Sequence, residues 1–473
     1  MSDEHRKKDI SLYSHLLIEE EWMRYVTPLI LRDKMDYILI KKINGYNNLE
    51  QFGLTILQST IANFLSCEVK IFTNPLLELQ DYNINILENE NRGFYPLDDD
   101  NIIVLGRIMS DDRTLISSLG IKLSKKGIKY SGNFLTKLEG ALTHTLTLEY
   151  NNNFGNCKYS LGDELILHTI CNYVSKGGYD NRLIRHLISI FQKLRTTSFE
   201  GSFFSTGLIL TKSHYAYNKN DRFGSSYSLK RPFSLANQCQ IERRIWYLVD
   251  GKKTFFMCNK SLFVDQIFVL AKEYQEANYI DSHTLAKSLK GADLLFKVEN
   301  EKSFSIINTA NIEISYIENQ WKFRDYTYIR KLFLAHFNNP DIVESILFFI
   351  IYCSKNAISS IIWLPEKIDQ IEDLLKKKTM NRFIKKPISI MDKSFTNHII
   401  RYLSSDGATI IDKNGLLQYF GCIIDLNKIE VKGIKGTGES AAGALSANGI
   451  SLKISQDGTI KLFEKRKSRP LLI

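Results

Sequence analysis

Residues 404–463 read SSDGATIIDKNGLLQYFGCIIDLNKIEVKGIKGTGESAAGALSANGISLKISQDGTIKLF, and the order of elements in this stretch decides the fold class. Ser404-Ser405-Asp406-Gly407-Ala408 runs a helix end straight into an apolar strand, and Gly407 lets backbone approach a ligand. Gly433, Gly436 and Gly438, followed by Ser440-Ala441-Ala442-Gly443-Ala444-Leu445, predict a loop opening into a helix of small residues. The first amides of such a helix favour phosphate. Apolar runs predict strands at Ala408–Ile411, Leu416–Ile424, Ile450–Ile454 and Thr459–Phe463. Between the last two, Ser455 and Asp457-Gly458 place a hydroxyl and a carboxylate at a strand end. Taken singly these features are common, since Asp-Gly is an ordinary turn and glycine-rich loops are often only flexible.

Working outward, Asp341–Cys353 places Ile342, Ile346, Phe349, Ile350 and Cys353 on one helical face, and a buried strand follows at Ile358–Leu364. Ser394 is placed to cap a helix in which Phe395, Ile399 and Leu403 share a face. The alternation of helix and strand from Tyr326 onward predicts an α/β domain over residues 326–473. Residues 151–325 read as α+β, with amphipathic helices at Gly162–Val174 and Arg182–Leu194 and strands at Phe203–Thr211, Ile245–Val249, Thr254–Cys258, Ser303–Ile307 and Ile312–Ile317. Asp250-Gly251-Lys252-Lys253 reads as a hairpin turn between two of those strands. His168 and His186 lack an i+4 partner and read as packed or surface histidines. The turn cluster Asn151–Asn156 separates this region from residues 1–150, also α+β, with helical periodicity at Leu12, Leu16, Leu17 and Met23 and again over 54–65. Within it, the acid-rich connector Asp81–Asn101 carries Asp98-Asp99-Asp100, read as a solvated loop rather than metal ligands.

The whole chain bounds these readings. At 473 residues it accommodates about three domains of about 150 residues each. With 44% hydrophobic and 24% charged residues it is globular in composition, which excludes disorder and collagen-like architecture. The most apolar run, Ile346–Cys353, is far shorter than the roughly 20 residues a membrane-spanning helix needs. A charged start with no apolar core behind it predicts no secretion signal. The seven cysteines form no CxxC pair and predict reduced thiols in a cytoplasmic protein. There is no GxxxxGK[ST] loop, no HExxH and no paired-cysteine zinc pattern, and Gly438–Gly443 fails as a nucleophile elbow because Ala442 stands where glycine is required. A net charge of +10 suits nucleic acid, a phosphate-bearing ligand or a merely soluble surface.

In order and spacing, the sequence of helix, Asp-Gly-Ala, strand, hairpin, strand, Gly-Thr-Gly loop, small-residue helix, strand and Ser-x-acid turn resembles the diadenylate cyclase (DAC) domain of the DNA-integrity-scanning family. The resemblance covers roughly residues 328–465, with its motifs at 404–458. It implies a mixed sheet flanked by helices, preceded here by the two α+β regions. Two such domains would meet face to face, so that two ATP molecules condense into cyclic di-AMP with Mg or Mn. Asp406, with Gly407 and Ala408, falls on the family's catalytic Asp-Gly-Ala, the aspartate being implied to bind metal. Gly436, Thr437 and Ser455 fall on phosphate-binding positions, and Asp457 stands near a metal-associated acid. The family follows Gly-Thr with Arg-His-Arg; here the positions are Gly438, Glu439 and Ser440. Gly438 and Ser440 are then read with the phosphate loop, and Glu439 as a substitute metal ligand, with Lys435, Lys453 or the Lys465-Arg466-Lys467 tail supplying positive charge. The segment 203–317 is similar to accessory regions that precede divergent DAC domains in some bacterial proteins, which implies a sensor.

The sequence therefore predicts a diadenylate-cyclase-like enzyme, a homo-oligomer through its DAC domains, under upstream control. The alternative is a degenerate DAC domain that binds a nucleotide or cyclic dinucleotide without turnover. Nucleic-acid binding through Lys376–Lys378, Lys385-Lys386 and the tail ranks last, and no membrane partner is expected.

Overall fold

The computed structural model describes residues 57–72, 94–109, 115–125, 128–151, 161–203, 205–212, 217, 223–236, 243–271, 285–286, 288–310, 312–368, 374–376, 386–425, 437–465 and 470–473. The helical pattern at 12–23, most of the 81–101 connector, the turn cluster after 151, Lys377, Lys378, Lys385, Gly433, Lys435, Gly436, Arg466 and Lys467 lie outside the described residues. The chain divides into two compact units, Met1–Tyr173 and Val174–Ile473.

In the first unit, β1 (Glu68–Phe72), β2 (Phe94–Pro96), β3 (Asn101–Met109) and β4 (Leu115–Ser124) form an antiparallel sheet in the order β1-β4-β3-β2. Helix α1 (Gly132–Asn151) packs on β3, and α2 (Leu161–Val174) ends this unit. Asp98 accepts from the Asp100 amide at 2.7 Å and from the Asn101 side chain, so the acidic triplet closes its own turn. His168 stacks on His144 at 4.6 Å.

The second unit opens with α3 (Asn181–Arg195), capped by the Asp180 carboxylate. A buried stripe of Ile184, Leu187, Ile188, Phe191 and Leu194 lays α3 on the following sheet. After the small ladder of β5 (Ser198–Phe199) and β6 (Ser202–Phe203) come β7 (Thr206–Leu210), β8 (Gly224–Ser234), β9 (Thr254–Cys258), β10 (Phe263–Leu270), β11 (Leu294–Asn300), β12 (Ser303–Asn308), β13 (Ile312–Ile317) and β14 (Gln320–Asp325). They form an eight-stranded sheet ordered β14-β13-β12-β11-β7-β9-β10-β8, antiparallel except at β7–β9. The β13–β14 hairpin turns on Glu318 and Asn319, both at positive φ (47° and 64°), as a two-residue turn that follows strand twist requires.

One predicted strand here is a helical turn. Ile245–Val249 is not extended: α4 (Arg243–Trp246) ends at the fully buried Trp246, whose ring meets Phe191 and Phe256, while Tyr247 and Leu248 are exposed. The apolar run is explained by one anchoring indole rather than by a strand. Asp250 accordingly caps a loop, accepting from the amides of Lys252, Lys253 and Thr254 at 2.8–2.9 Å, and leads into β9 without joining two strands.

Helices α5 (Thr327–His336) and α6 (Pro340–Lys355) then lead to the last sheet. Asn339 caps α6 and Pro340 starts it, as expected where no amide partner exists. The sheet comprises β15 (Ser360–Pro365), β16 (Ile388–Ser389), β17 (Ala408–Ile411), β18 (Leu416–Cys422), β19 (Gly449–Ile454), β20 (Ile460–Phe463) and β21 (Leu471–Leu472), ordered β16-β18-β17-β15-β19-β20-β21. β15 and β17 run parallel; the other pairs are antiparallel, so the sheet is mixed. Alternation along β15 separates two cores. Ile362 and Leu364 join α5, α6 and α7 (Thr396–Leu403) on one face, through Phe333, Ile346, Phe349, Ile399 and Leu403. Ile361 and Trp363 face α8 (Thr437–Leu445), whose Ala441 and Ala442 are small enough to sit against them. The general class is thus α/β, a mixed sheet with helices on both faces. Ser394 does not cap α7: Asp392 caps the short 3-10 turn that precedes the helix, accepting from the Ser394 amide at 3.0 Å, while α7 itself begins after the exposed Phe395 with no side-chain cap. Among the described residues, no helix is long and apolar enough to cross a membrane.

Candidate functional site

The last sheet gathers the motif residues at one of its ends. Ala408, the first residue of β17, lies opposite Ile361 of β15, and Ser360 lies opposite Ile454 of β19. Asp406-Gly407, Ser359-Ser360 and Ser455 therefore leave their strands at the same sheet edge. The start of α8 reaches this end as well, since a Cβ on Gly438 would stand 3.1 Å from Cε of Lys453.

Each motif residue has a defined local role. Gly407 has φ +100°, and a Cβ there would lie 2.7 Å from the Cys422 carbonyl of β18, so only glycine turns the chain this close to its neighbour strand. Ala408 is buried core, while the Asp406 carboxylate is exposed and engages no side chain among the described residues. Thr437 is exposed as the first residue of α8, and Ser440 lies half-buried one turn on. Ser455 donates its amide to the Thr459 carbonyl and accepts from the Gly458 amide, a closed turn at 2.9 and 3.0 Å. Asp457 is held within that turn, accepting from the Thr459 amide at 3.0 Å and its hydroxyl at 2.9 Å. Gly436 lies outside the described residues, so its place relative to Thr437 is not described.

Three residues proposed as metal ligands are thus differently occupied. Glu439 pairs with Lys461 at 2.7 Å, Asp457 bonds Thr459, and Asp406 stands in solvent. Among the described residues, no group of three or more His, Cys, Asp and Glu side chains could hold a metal ion by itself.

Positive charge comes from strands β19 and β20. Lys453 and Lys461 are directly opposite each other on the α8 face, a like-charge pair that an ordinary sheet avoids. Glu439 neutralises Lys461. The Lys453 ammonium instead reaches neutral oxygens, the Ser359 hydroxyl at 2.5 Å and the Ile454 carbonyl at 3.0 Å. Burial holds its pKa below the ordinary lysine value, against the pull of Asp457 and Glu439. Of the tail residues, Lys465 lies 3.5 Å from Glu366 on an exposed surface.

Sequence reasoning missed two contributors, Lys322 and Arg324 on β14 of the eight-stranded sheet. Arg324 Nη2 donates to the Gly458 carbonyl at 3.1 Å, and Asp457 is the carboxylate that acts most strongly on the charge of Lys322. The alternation in Gln320-Trp321-Lys322-Phe323-Arg324 shows that both cations share a face, but no local pattern tells which turn that face meets.

No family model matches the chain, and no curated protein does. Among solved structures, a Bacillus cereus protein described as a hypothetical membrane-spanning protein is similar at 16% sequence identity, covering 31% of this chain and 72% of that one, with a TM-score of 0.25. A likeness this weak carries no argument about fold or activity.

Proposed function

We propose that the chain is a diadenylate-cyclase-like nucleotidyltransferase whose DAC-like domain (326–473) binds ATP at the sheet end and whose upstream regions control it in the cytoplasm. The observation that carries this reading is the convergence of Asp406-Gly407, Lys453, Ser455 and the start of α8 at one edge of a mixed sheet. Phosphoryl chemistry needs positioning and charge more than covalent help. In the proposed reaction the 3′-oxygen of each ATP forms a bond to the α-phosphorus of the other. Each α-phosphorus loses its bond to the bridging oxygen, so two pyrophosphates leave and each hydroxyl proton passes to solvent. Two copies of the chain supply the two nucleotides. Lys453, Thr437, Gly438, Ser440 and Ser455 serve the phosphates, with Lys453 giving part of the positive charge that Gly438-Glu439-Ser440 lacks relative to Arg-His-Arg.

A Mg²⁺ or Mn²⁺ ion fits this site in one manner. Such ions are commonly held by one or two carboxylates together with substrate phosphates, without an all-protein cage, and Asp406 is the carboxylate not already engaged. The ion would offset charge developing on phosphorus.

The Glu439–Lys461 pair favours a second reading, since it consumes one of the two cations nearest the start of α8. On that reading the domain binds a nucleotide without turnover. Incubation of the full chain with ATP and Mn²⁺, followed by mass spectrometry, separates the two. The enzyme reading expects a cyclic dinucleotide and pyrophosphate, abolished by EDTA and reduced about 10²–10³-fold in Asp406→Ala. ATP binding without product supports the binding reading, and product formation undiminished in Asp406→Ala overturns the site.

A further inference from the structure

We propose that Arg324 is a positioning residue for the candidate site, fixing from the eight-stranded sheet the turn that carries Ser455 and Asp457. This rests on the reading of that sheet end as a nucleotide site.

Arg324 is 2% exposed, an unusual place for a guanidinium. Its Nη2 donates to the Gly458 carbonyl at 3.1 Å and to the Ser354 hydroxyl near the end of α6, and that hydroxyl donates in turn to the same carbonyl. One carbonyl of the turn is thus held by a triangle whose corners come from β14, α6 and the turn itself. Gly458 has φ +78°, and a Cβ there would come within 3.2–3.3 Å of Ser354 and Ile317, so the turn is seated against α6 and β13 together. Because Ser455, Asp457, Gly458 and Thr459 are closed on one another by hydrogen bonds, holding the Gly458 carbonyl holds the Ser455 hydroxyl and the Asp457 carboxylate.

The surroundings show that the contact is built and not incidental. Glu313 lies directly opposite Arg324 in the β13–β14 register, is fully buried, accepts from the Tyr326 hydroxyl at 3.0 Å, and pairs with Lys355, the neighbour of Ser354. Lys355 also bonds Glu299 of β11 at 2.6 Å, and Asn356 bonds Asn300 at 2.8 Å. Lys322, two residues before Arg324 and also buried, brings a second cation under the influence of Asp457. Among the described residues, Arg324 Nε and Nη1 make no hydrogen bond of good geometry, though the Tyr326 hydroxyl acts on the guanidinium. A buried guanidinium with unmet donors is costly as mere filling, and a hydrophobic residue would seal the junction more cheaply. What a hydrophobic residue could not do is grip the turn's carbonyl. The sheet upstream therefore has a direct mechanical hold on the site.

The test uses the full chain as wild type, Arg324→Lys and Ser354→Ala, the last being close to isosteric and a guard against misfolding. Amide hydrogen exchange is followed by mass spectrometry at 455–459 and in β15 and β17, and affinity for ATP with Mg²⁺ is measured by calorimetry. Exchange at 455–459 is expected to rise about tenfold or more in both variants, the worth of a lost hydrogen bond to a charged group, while β15 and β17 keep their protection. ATP affinity should fall with it, by about three- to tenfold. Unchanged exchange at the turn in both variants overturns the proposal, and so does loss of protection spread evenly over the sheet. A failure of the underlying site reading looks different: the wild type itself then binds no ATP.

Discussion

Two sets of cations in the second unit meet opposite surroundings. Lys297, Lys355 and Arg324 sit at the junction of the two sheets, each less than a tenth exposed, among Glu299, Glu313 and the hydroxyls of Ser305, Ser315 and Ser354. Lys453 and Lys461 stand half-buried at the end of the last sheet, with Glu439 as the one carboxylate in contact among the described residues. At the junction, Lys297 and Lys355 are matched side by side with Glu299 and Glu313, and the chemistry of these four is finished when the protein folds. Against the cost of burial, which pulls it down, Glu299 and Glu313 hold Lys355 above the ordinary lysine value. At the sheet end the match is incomplete, and Lys453 is held by neutral oxygens while burial lowers its pKa. A cation kept partly desolvated without a contacting counter-charge is one on which an anionic ligand can gain most.

The comparison breaks first at the junction. Lys355→Met leaves the buried Glu313 and Glu299 carboxylates with one cation fewer, and is expected to destabilise the fold by about 3–5 kcal/mol in denaturant unfolding. A loss below about 1 kcal/mol would show that the junction charges are hydrated and not finished by folding.

A smaller effect sharpens the boundary between the two sets. Burial pushes Lys322 down to about 8 from the ordinary 10.5, with Asp457 opposing and Arg324 assisting. Between these values the unfolded chain binds more protons than the folded one, so this lysine makes stability rise with pH through that window and costs stability below it. Relative to Lys322→Met, the wild type should gain about 1–3 kcal/mol between pH 8 and 10.5, read from denaturant midpoints at each pH. A flat difference would mean that Lys322 stays solvated and outside the junction.

How much of this was legible beforehand differs between the same two places. At the sheet end, period-two alternation and turn residues are local signals, so Ala408–Ile411, the small-residue helix Ser440–Leu445 and the turn at Asp457-Gly458 are legible in the residues, although the helix opens three positions earlier, at Thr437, inside the expected glycine loop. Even there, pairing was hidden: that Lys461 would meet Glu439, and Lys453 reach Ser359 from 94 positions away, depends on sheet order. The junction left almost no trace. Arg324 and Gly458 are 134 residues apart, and Lys297, Glu313 and Arg324 read as ordinary solvated charges on strands until a second layer covers them. The misread segment 245–249 has the same origin, because burial of Trp246 is decided by Phe191 and Phe256 and not by its neighbours. Ser394 fits a cap by residue type, but its amide and hydroxyl are both taken by Asp392 within the 3-10 turn, and α7 starts after Phe395 with no side-chain cap.

The most direct test of the sheet end as a phosphate site is a calorimetric titration of the full chain with a non-hydrolysable ATP analogue and Mg²⁺, run beside Lys453→Met. The predicted result is saturable binding by the wild type that weakens with added salt, and an affinity about tenfold lower in the variant, as expected for one lost charged contact to phosphate. Absence of binding by the wild type, or equal affinity in the two proteins, would contradict it.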